Sequence, residues 1–282
     1  MYEVSVENHH GERLDLTASP LYDVLKIDGL SPPPATLNFS TMANFDGGKF
    51  NSGQLQTRNL VFTIKIYPDV ETNRINLYKY FPSKKTIRIY YRNGTREVYI
   101  DGIVETIEID PFTMNETAQI SIICPDPYWK ESTESRLNFS NVISLFEFPF
   151  SIPEEGIEFS KIQKLTTVFF NNGEVETGIT IEFQATTNQI LNPRFINRTT
   201  QEYFGLNVDM AEGDLIRINT RRGEKSVILI HDGIEENIIG DRQNGSTWVQ
   251  LVGGVNELSY ECDNGAENLI VRVYTHVLYG GV

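Results

Sequence analysis

Cys124-Pro-Asp-Pro-Tyr-Trp129 marks the point at which this 282-residue chain divides. The run before it, Gln119-Ile-Ser-Ile-Ile, nearly alternates and reads as a strand buried on at least one face. Pro125 and Pro127 end the ladder, because neither can donate a backbone N–H. They also push Cys124 and Asp126 toward extended geometry. Tyr128 and Trp129 follow, two rings suited to filling a seam while keeping a polar edge wet. Lys130-Glu-Ser-Thr-Glu-Ser is then polar and without apolar period. The stretch reads as a joint between a domain over 1–130 and a second over 131–282.

Each domain is long enough to bury its own core. Aromatic residues at 11%, with many Val, Ile and Thr, lean toward sheet. No apolar run approaches the ~18 residues of a membrane helix, and no basic-then-apolar leader opens the chain, so the expectation is no membrane insertion. A formal net charge of −14 argues against general or sequence-specific nucleic-acid binding, which needs a Lys/Arg excess to neutralise phosphates. Cys124 and Cys262 lie in opposite halves among strand-like residues and read as buried thiols.

Upstream of the joint, Tyr2–Val6, Arg13–Leu16 and Tyr22–Ile27 read as short strands. Leu30-Ser-Pro-Pro-Pro-Ala is an extended connector. Ala43–Leu55 is rich in Gly and Asn, and Asp46-Gly-Gly suits either a hairpin tip or a mobile loop. Leu60, Phe62, Ile64 and Ile66 alternate through a strand over 58–67. Thr72 offers an N-cap to one short helix ending before Pro82, with Ile75, Tyr78 and Phe81 along its apolar face. Strands over 86–91 and 96–103 flank the Asn93-Gly94 hairpin signal, strand continues over 104–109, and Asp110-Pro-Phe-Thr-Met-Asn turns into 118–123. The first domain is therefore α+β with a mostly antiparallel sheet.

Downstream, Val142–Ile152 is Phe-rich and reads as an edge strand interrupted by Pro149. Short strands then recur about every ten to twelve residues with turn residues between them, the pattern of a β-sandwich or barrel. No helix of two turns fits there.

Chemistry does not assemble. His9, His10, His231 and His276 lack metal-ligand spacing, so no metal site is expected. There is no nucleophile elbow, phosphate loop or dinucleotide fingerprint. Glu154-Glu155 and Glu235-Glu236 read as solvated faces, not as an acid/base couple. No catalytic residue and no cofactor are expected. Trp248 and Tyr203 are candidates for stacking a saccharide ring; against that, large aromatics in strands are usually buried.

Taken in order, these pieces resemble the distal tail protein (Dit) family of long, non-contractile-tailed bacteriophages and prophages. The resemblance spans essentially the whole chain. It rests on Gly53-Gln-Leu-Gln-Thr-Arg-Asn-Leu-Val-Phe before the helix and on Cys124-Pro-Asp-Pro-Tyr-Trp. In the second half it rests on Phe170-Asn-Asn-Gly-Glu-Val-Glu-Thr-Gly-Ile-Thr-Ile-Glu-Phe, Gly213-Asp-Leu-Ile-Arg-Ile-Asn-Thr-Arg-Arg-Gly and Gly254-Val-Asn-Glu-Leu-Ser-Tyr. Gly178 stands where the family often has Pro, and the second half carries no large insertion of the kind that holds extra carbohydrate-binding modules.

The resemblance implies a mainly β protein: a split-barrel-like, ring-forming first domain with one helix and a hairpin, and a galectin-like jelly-roll sandwich. It implies a homo-hexamer, single or stacked. The ring would join the tail tube protein to a tail-associated lysin, tail fibre or receptor-binding protein at the virion tail tip and let DNA pass. Assembly would take place in the bacterial cytoplasm. An acidic lumen would then repel the passing phosphates. Within the Ala43–Leu55 arm, Asp46, Gly47, Gly48 and Phe50 are the candidate oligomer interface. The alternative is a galectin-like module binding host cell-wall saccharide through Trp248 and Tyr203.

Overall fold

The computed structural model describes residues 2–43, 46–109, 116–139 and 166–282. The turn expected at 110–115 and the edge strand expected at 142–152 lie outside the described residues. Contacts divide the chain into two compact units, Met1–Ser132 with Leu278–Val282, and Thr133–Val277. Sequence alone assigns the last five residues to the second domain. They belong to the first, for a reason that lies in Arg58.

The first unit contains β1 (Glu3–Glu7), β2 (Arg13–Asp15), β3 (Tyr22–Asp28), β4 (Ala35–Thr41), β5 (Gly48–Leu55) and β6 (Arg58–Ile66). After α1 (Val70–Tyr80) come β7 (Thr86–Arg92), β8 (Glu97–Ile109), β9 (Thr117–Cys124) and β10 (Trp129–Glu131). The second contains β11 (Ser135–Phe139), β12 (Thr167–Asn171), β13 (Thr177–Gly178), β14 (Thr180–Ala185), β15 (Ile190–Leu191), β16 (Arg194–Asn197) and β17 (Glu202–Gly205). It continues through β18 (Asp209–Met210), β19 (Leu215–Asn219), β20 (Ser226–His231), β21 (Ile234–Asn237), β22 (Gln250–Leu251), β23 (Gly254–Glu261) and β24 (Leu269–Thr275). A last strand, β25 (Leu278–Tyr279), returns to the first unit.

In the first unit the antiparallel order is β2-β1-β7-β8-β9-β6-β3, with β10 pairing both β8 and β25. Strand β6 sets the core. Leu60, Phe62, Ile64 and Ile66 share its inward phase and are all buried, each side chain contributing about 1.5–3 kcal/mol of transfer free energy. Arg58 has the same phase, so its guanidinium is carried inside too, and the residue is 1% exposed. No carboxylate meets it among the described residues. It donates from Nε to Pro127 O at 2.8 Å, from Nη1 to Ser31 O at 2.7 Å, Leu30 O at 3.2 Å and Gly29 O, and from Nη2 to Gly280 O at 2.5 Å. Burial lowers its pKa. Trp129, fully buried, lies 5.7 Å from the guanidinium by its ring centroid. The two-proline stretch therefore ends strand β9 and also supplies an acceptor, Pro127 O, to the residue that gathers the unit's loose segments.

Helix α1 differs from the sequence expectation. It starts one turn earlier, with Asp69 at the N-cap, and Thr72 donates its hydroxyl to Asp69 Oδ2 at 2.8 Å from inside the first turn. Its buried residues are Asn73 and Leu77, with Phe81 just beyond, whereas Ile75 and Tyr78 are exposed. The cause is polar anchoring. Asn73 donates to Tyr67 O at 2.8 Å, and Tyr22 donates to Asn73 O at 2.9 Å, which turns the Asn73 face inward against the apolar count.

The second unit has a six-stranded sheet, β11-β24-β14-β19-β20-β21, and a four-stranded sheet, β12-β23-β16-β17. Phe139 of the first sheet meets Phe195 and Tyr260 of the second edge to face, at centroid distances of 6.0 and 5.7 Å. The sheets thus bury alternate residues against each other, Ile181, Phe183, Val271 and Val273 from one side, Phe195, Phe204 and Leu258 from the other. Strands over 190–191, 209–210 and 234–237 escape sequence detection because they are two to four residues long. The Asn-Asn-Gly and Gly-Val-Asn motifs brace turns. Asn171 donates to Val175 O and Leu251 O and accepts from Gly173 N, while Asn256 donates to Val252 O and accepts from Asn197.

Candidate functional site

The arm of the first unit is a hairpin. Strand β4 pairs β5 from Ala35↔Leu55 to Thr41↔Gly48, with a bulge at Asn38/Phe39, and among the described residues neither strand joins the main sheet. Sequence reasoning missed β4, whose alternation in Thr36-Leu-Asn-Phe-Ser was the available signal. The bulge keeps Leu37 and Phe39 on the face that carries Phe50 and Gly53. Phe39 and Phe50 meet edge to face at 5.8 Å, and Gly53 leaves room for Leu37 and Phe50. The opposite face is polar, with Asn38 bonded to Ser52 and Asn51 to Ser40.

The apolar face is unusually open: Leu37 is 52% exposed, Phe39 58% and Phe50 56%. Asp46, Gly47, Gly48 and Phe50, the candidates from sequence, all lie at or beside this tip and are exposed. Isolated two-stranded hairpins are marginal in water, so such a face is stabilised by covering it.

The two aromatics proposed for saccharide stacking are not brought together. Phe204 follows Tyr203 on β17 and points inward, and Trp248 packs on Phe204 at 5.0 Å. Lys225 and Arg242 stand 5.4 and 5.8 Å from the Trp248 ring. Tyr203 points to the outer face, where its hydroxyl donates to Asn244 O at 2.8 Å. There it lines a groove with Arg194, Ile196, Arg198, Gln243 and Glu261, which sequence reasoning did not single out because they come from three separated segments.

Other titratable groups are structural. Asp214 is buried, accepts from Ala211 N at 2.8 Å and meets His231 Nδ1 at 2.5 Å; this bond raises the His231 pKa. Burial pushes the thiols of Cys124 and Cys262 up to about 12. Among the described residues, no group of three or more His, Cys, Asp and Glu could hold a metal ion.

Comparison with known proteins gives a consistent result. Residues 172–276 match the family described as siphovirus-type tail component, C-terminal domain. No curated protein matches the chain. Among solved structures, SPP1 Dit (gp 19.1), described as a paradigm of the hub adsorption apparatus in phages infecting Gram-positive bacteria, superposes with TM-score 0.66 at 14% identity, covering 98% of both chains. A chain of the phage P2 baseplate in its activated conformation with Ca gives TM-score 0.56 at 12% identity, covering 98% of this chain and 97% of that one. Residues 172–276 thus match the siphovirus-type tail component model, and the chain that carries them is mainly β with, along nearly its whole length, the fold of the Dit hub protein.

Proposed function

We propose that this protein is a structural hub of a long-tailed phage, six copies of which close a ring that continues the tail tube and lets DNA pass. The observation that carries this reading is the amphipathic hairpin β4–β5. Its apolar face, Leu37, Phe39 and Phe50, is left open by its own unit and fits a neighbouring copy of the same chain. Closed symmetry uses such a face once per subunit and leaves none exposed. The edge strands β2 and β3 of the main sheet offer a second surface for a neighbour.

In this role the tail tube protein lies on one side of the ring and a tail-associated lysin, fibre or receptor-binding protein on the other. The function is one of joining, not of catalysis. The test is amide hydrogen exchange over residues 35–55 in rings and in dilute monomers. Protection of the hairpin confined to the ring supports the assignment; equal exchange in both states overturns it.

A further inference from the structure

We propose that the outer face of the four-stranded sheet in the second unit binds a neutral saccharide, between Tyr203 and the Arg194 and Arg198 guanidiniums. Strand register builds the groove. Along β16 and the residue that follows it, Arg194, Ile196 and Arg198 succeed one another on the outer face, with Phe195 and Asn197 buried beneath. Opposite Ile196 stand Tyr203 on β17 and the small Ser259 on β23; opposite Arg194 stand Gly205 and Glu261. The result is an apolar floor at Ile196, an aromatic wall at Tyr203 and polar ends around a shallow, open depression of about 710 Å³.

The polar groups are held before any ligand arrives. Arg194 donates from Nε to Gln243 Oε1 at 2.9 Å and from Nη2 to Asp263 Oδ1 at 2.6 Å. Gln243 in turn donates to Leu206 O at 3.0 Å and crosses Gly205 so closely that a Cβ there would stand 2.3 Å from its Oε1. Arg198 donates from Nε to Ser259 Oγ at 2.9 Å, and its Nη2 lies 3.6 Å from Glu261. Tyr203 is fixed by Asn244 O. Pre-set donors and acceptors around a small apolar floor match a pyranose ring, which offers C–H groups on one face and hydroxyls at its edge.

Charge selects the class of sugar. Each guanidinium already faces a carboxylate, Arg194 with Asp263 and Arg198 with Glu261, so no unbalanced positive charge awaits an anion. The site therefore favours uncharged rings over uronates or phosphorylated sugars. Its open side admits a ring within a longer chain.

The test is saturation-transfer difference NMR on the intact chain with the methyl β-glycosides of glucose, galactose and N-acetylglucosamine, and with methyl glucuronide. Transfer to the ring protons of at least one neutral glycoside is expected, at least ten-fold weaker in Tyr203→Ala and in the rim variant Arg198→Gln. It should be retained in Trp248→Phe, whose ring lies on the other face of β17. Thermal melts check that each variant is folded. No transfer from any neutral glycoside, binding of the glucuronide alone, or undiminished binding in folded Arg198→Gln would overturn the proposal. The ring reading is measured separately by solution mass, so either can fail alone.

Discussion

Arg58 donates from Nη2 to the carbonyl oxygen of Gly280 at 2.5 Å, joining residues 222 positions apart in the chain. Because the same guanidinium also takes Gly29, Leu30, Ser31 and Pro127, one buried cation fixes the polyproline connector, the two-proline joint and the returning tail. Backbone dipoles, not a counter-ion, balance its charge, an arrangement that needs the planar fork of arginine.

Arg58→Met should destabilise the first unit by about 3 kcal/mol or more, since several carbonyls lose their donor in a dry site. Arg58→Lys should recover little of it, as a point charge cannot span the same acceptors. Urea unfolding followed by Trp129 fluorescence in a Trp248→Phe background would measure both; near-native stability of the Lys variant would show that charge, not geometry, is what matters.

Removing residues 278–282 should loosen the same unit, because β10 loses its partner β25 and Arg58 and Arg96 lose the Gly280 and Gly281 carbonyls. Hydrogen exchange should rise across 28–31 and 96–99 while the strands of the sandwich keep their protection. Uniform loss in both units would contradict this assignment.

Gly178 has a steric reason to be glycine. A Cβ there would stand 2.5 Å from Arg221 Cα and 2.7 Å from Arg221 N, which are backbone atoms that cannot swing away. Gly178→Ala should cost about 1–3 kcal/mol. A melting temperature unchanged from wild type would show that the approach is looser than this.

His231 gains a partner on folding, which raises its pKa above the ordinary 6.5. The sign follows: the bond stabilises the second unit fully below pH about 6.5 and fades as pH rises through the folded-state value. Asp214 and Asp232 both face the ring. The melting-temperature difference between wild type and His231→Gln should therefore be larger at pH 5.5 than at pH 8.5; a constant difference would rule the linkage out.

Sequence was most informative where alternation is long. Leu60 to Ile66, Leu215–Asn219 and Ser226–His231 could be read directly, as could the joint at Pro125 and Pro127, because buried faces of five or more residues leave a clear period. The helix face could not, since Asn73 and Tyr22 set its rotation through two hydrogen bonds that no apolar count contains. Nor could the return of Leu278–Tyr279 to the first unit, whose only trace in sequence is a lone arginine on the inward phase of β6. The arm was seen as a Gly-rich tip, but its apolar face depends on a bulge that brings Leu37, Phe39 and Phe50 to one side. The groove around Tyr203 was half-seen: register across β16, β17 and β23 supplies partners that are far apart in the chain.

Light scattering of the purified chain across a concentration series tests the central claim most directly, alongside the double variant Phe39→Ser/Phe50→Ser. The hub reading predicts a mass about six times the 32.1 kDa of one chain, with the variant folded but monomeric. A wild-type chain that stays monomeric at every concentration, or a hexamer indifferent to losing the hairpin's apolar face, would contradict it.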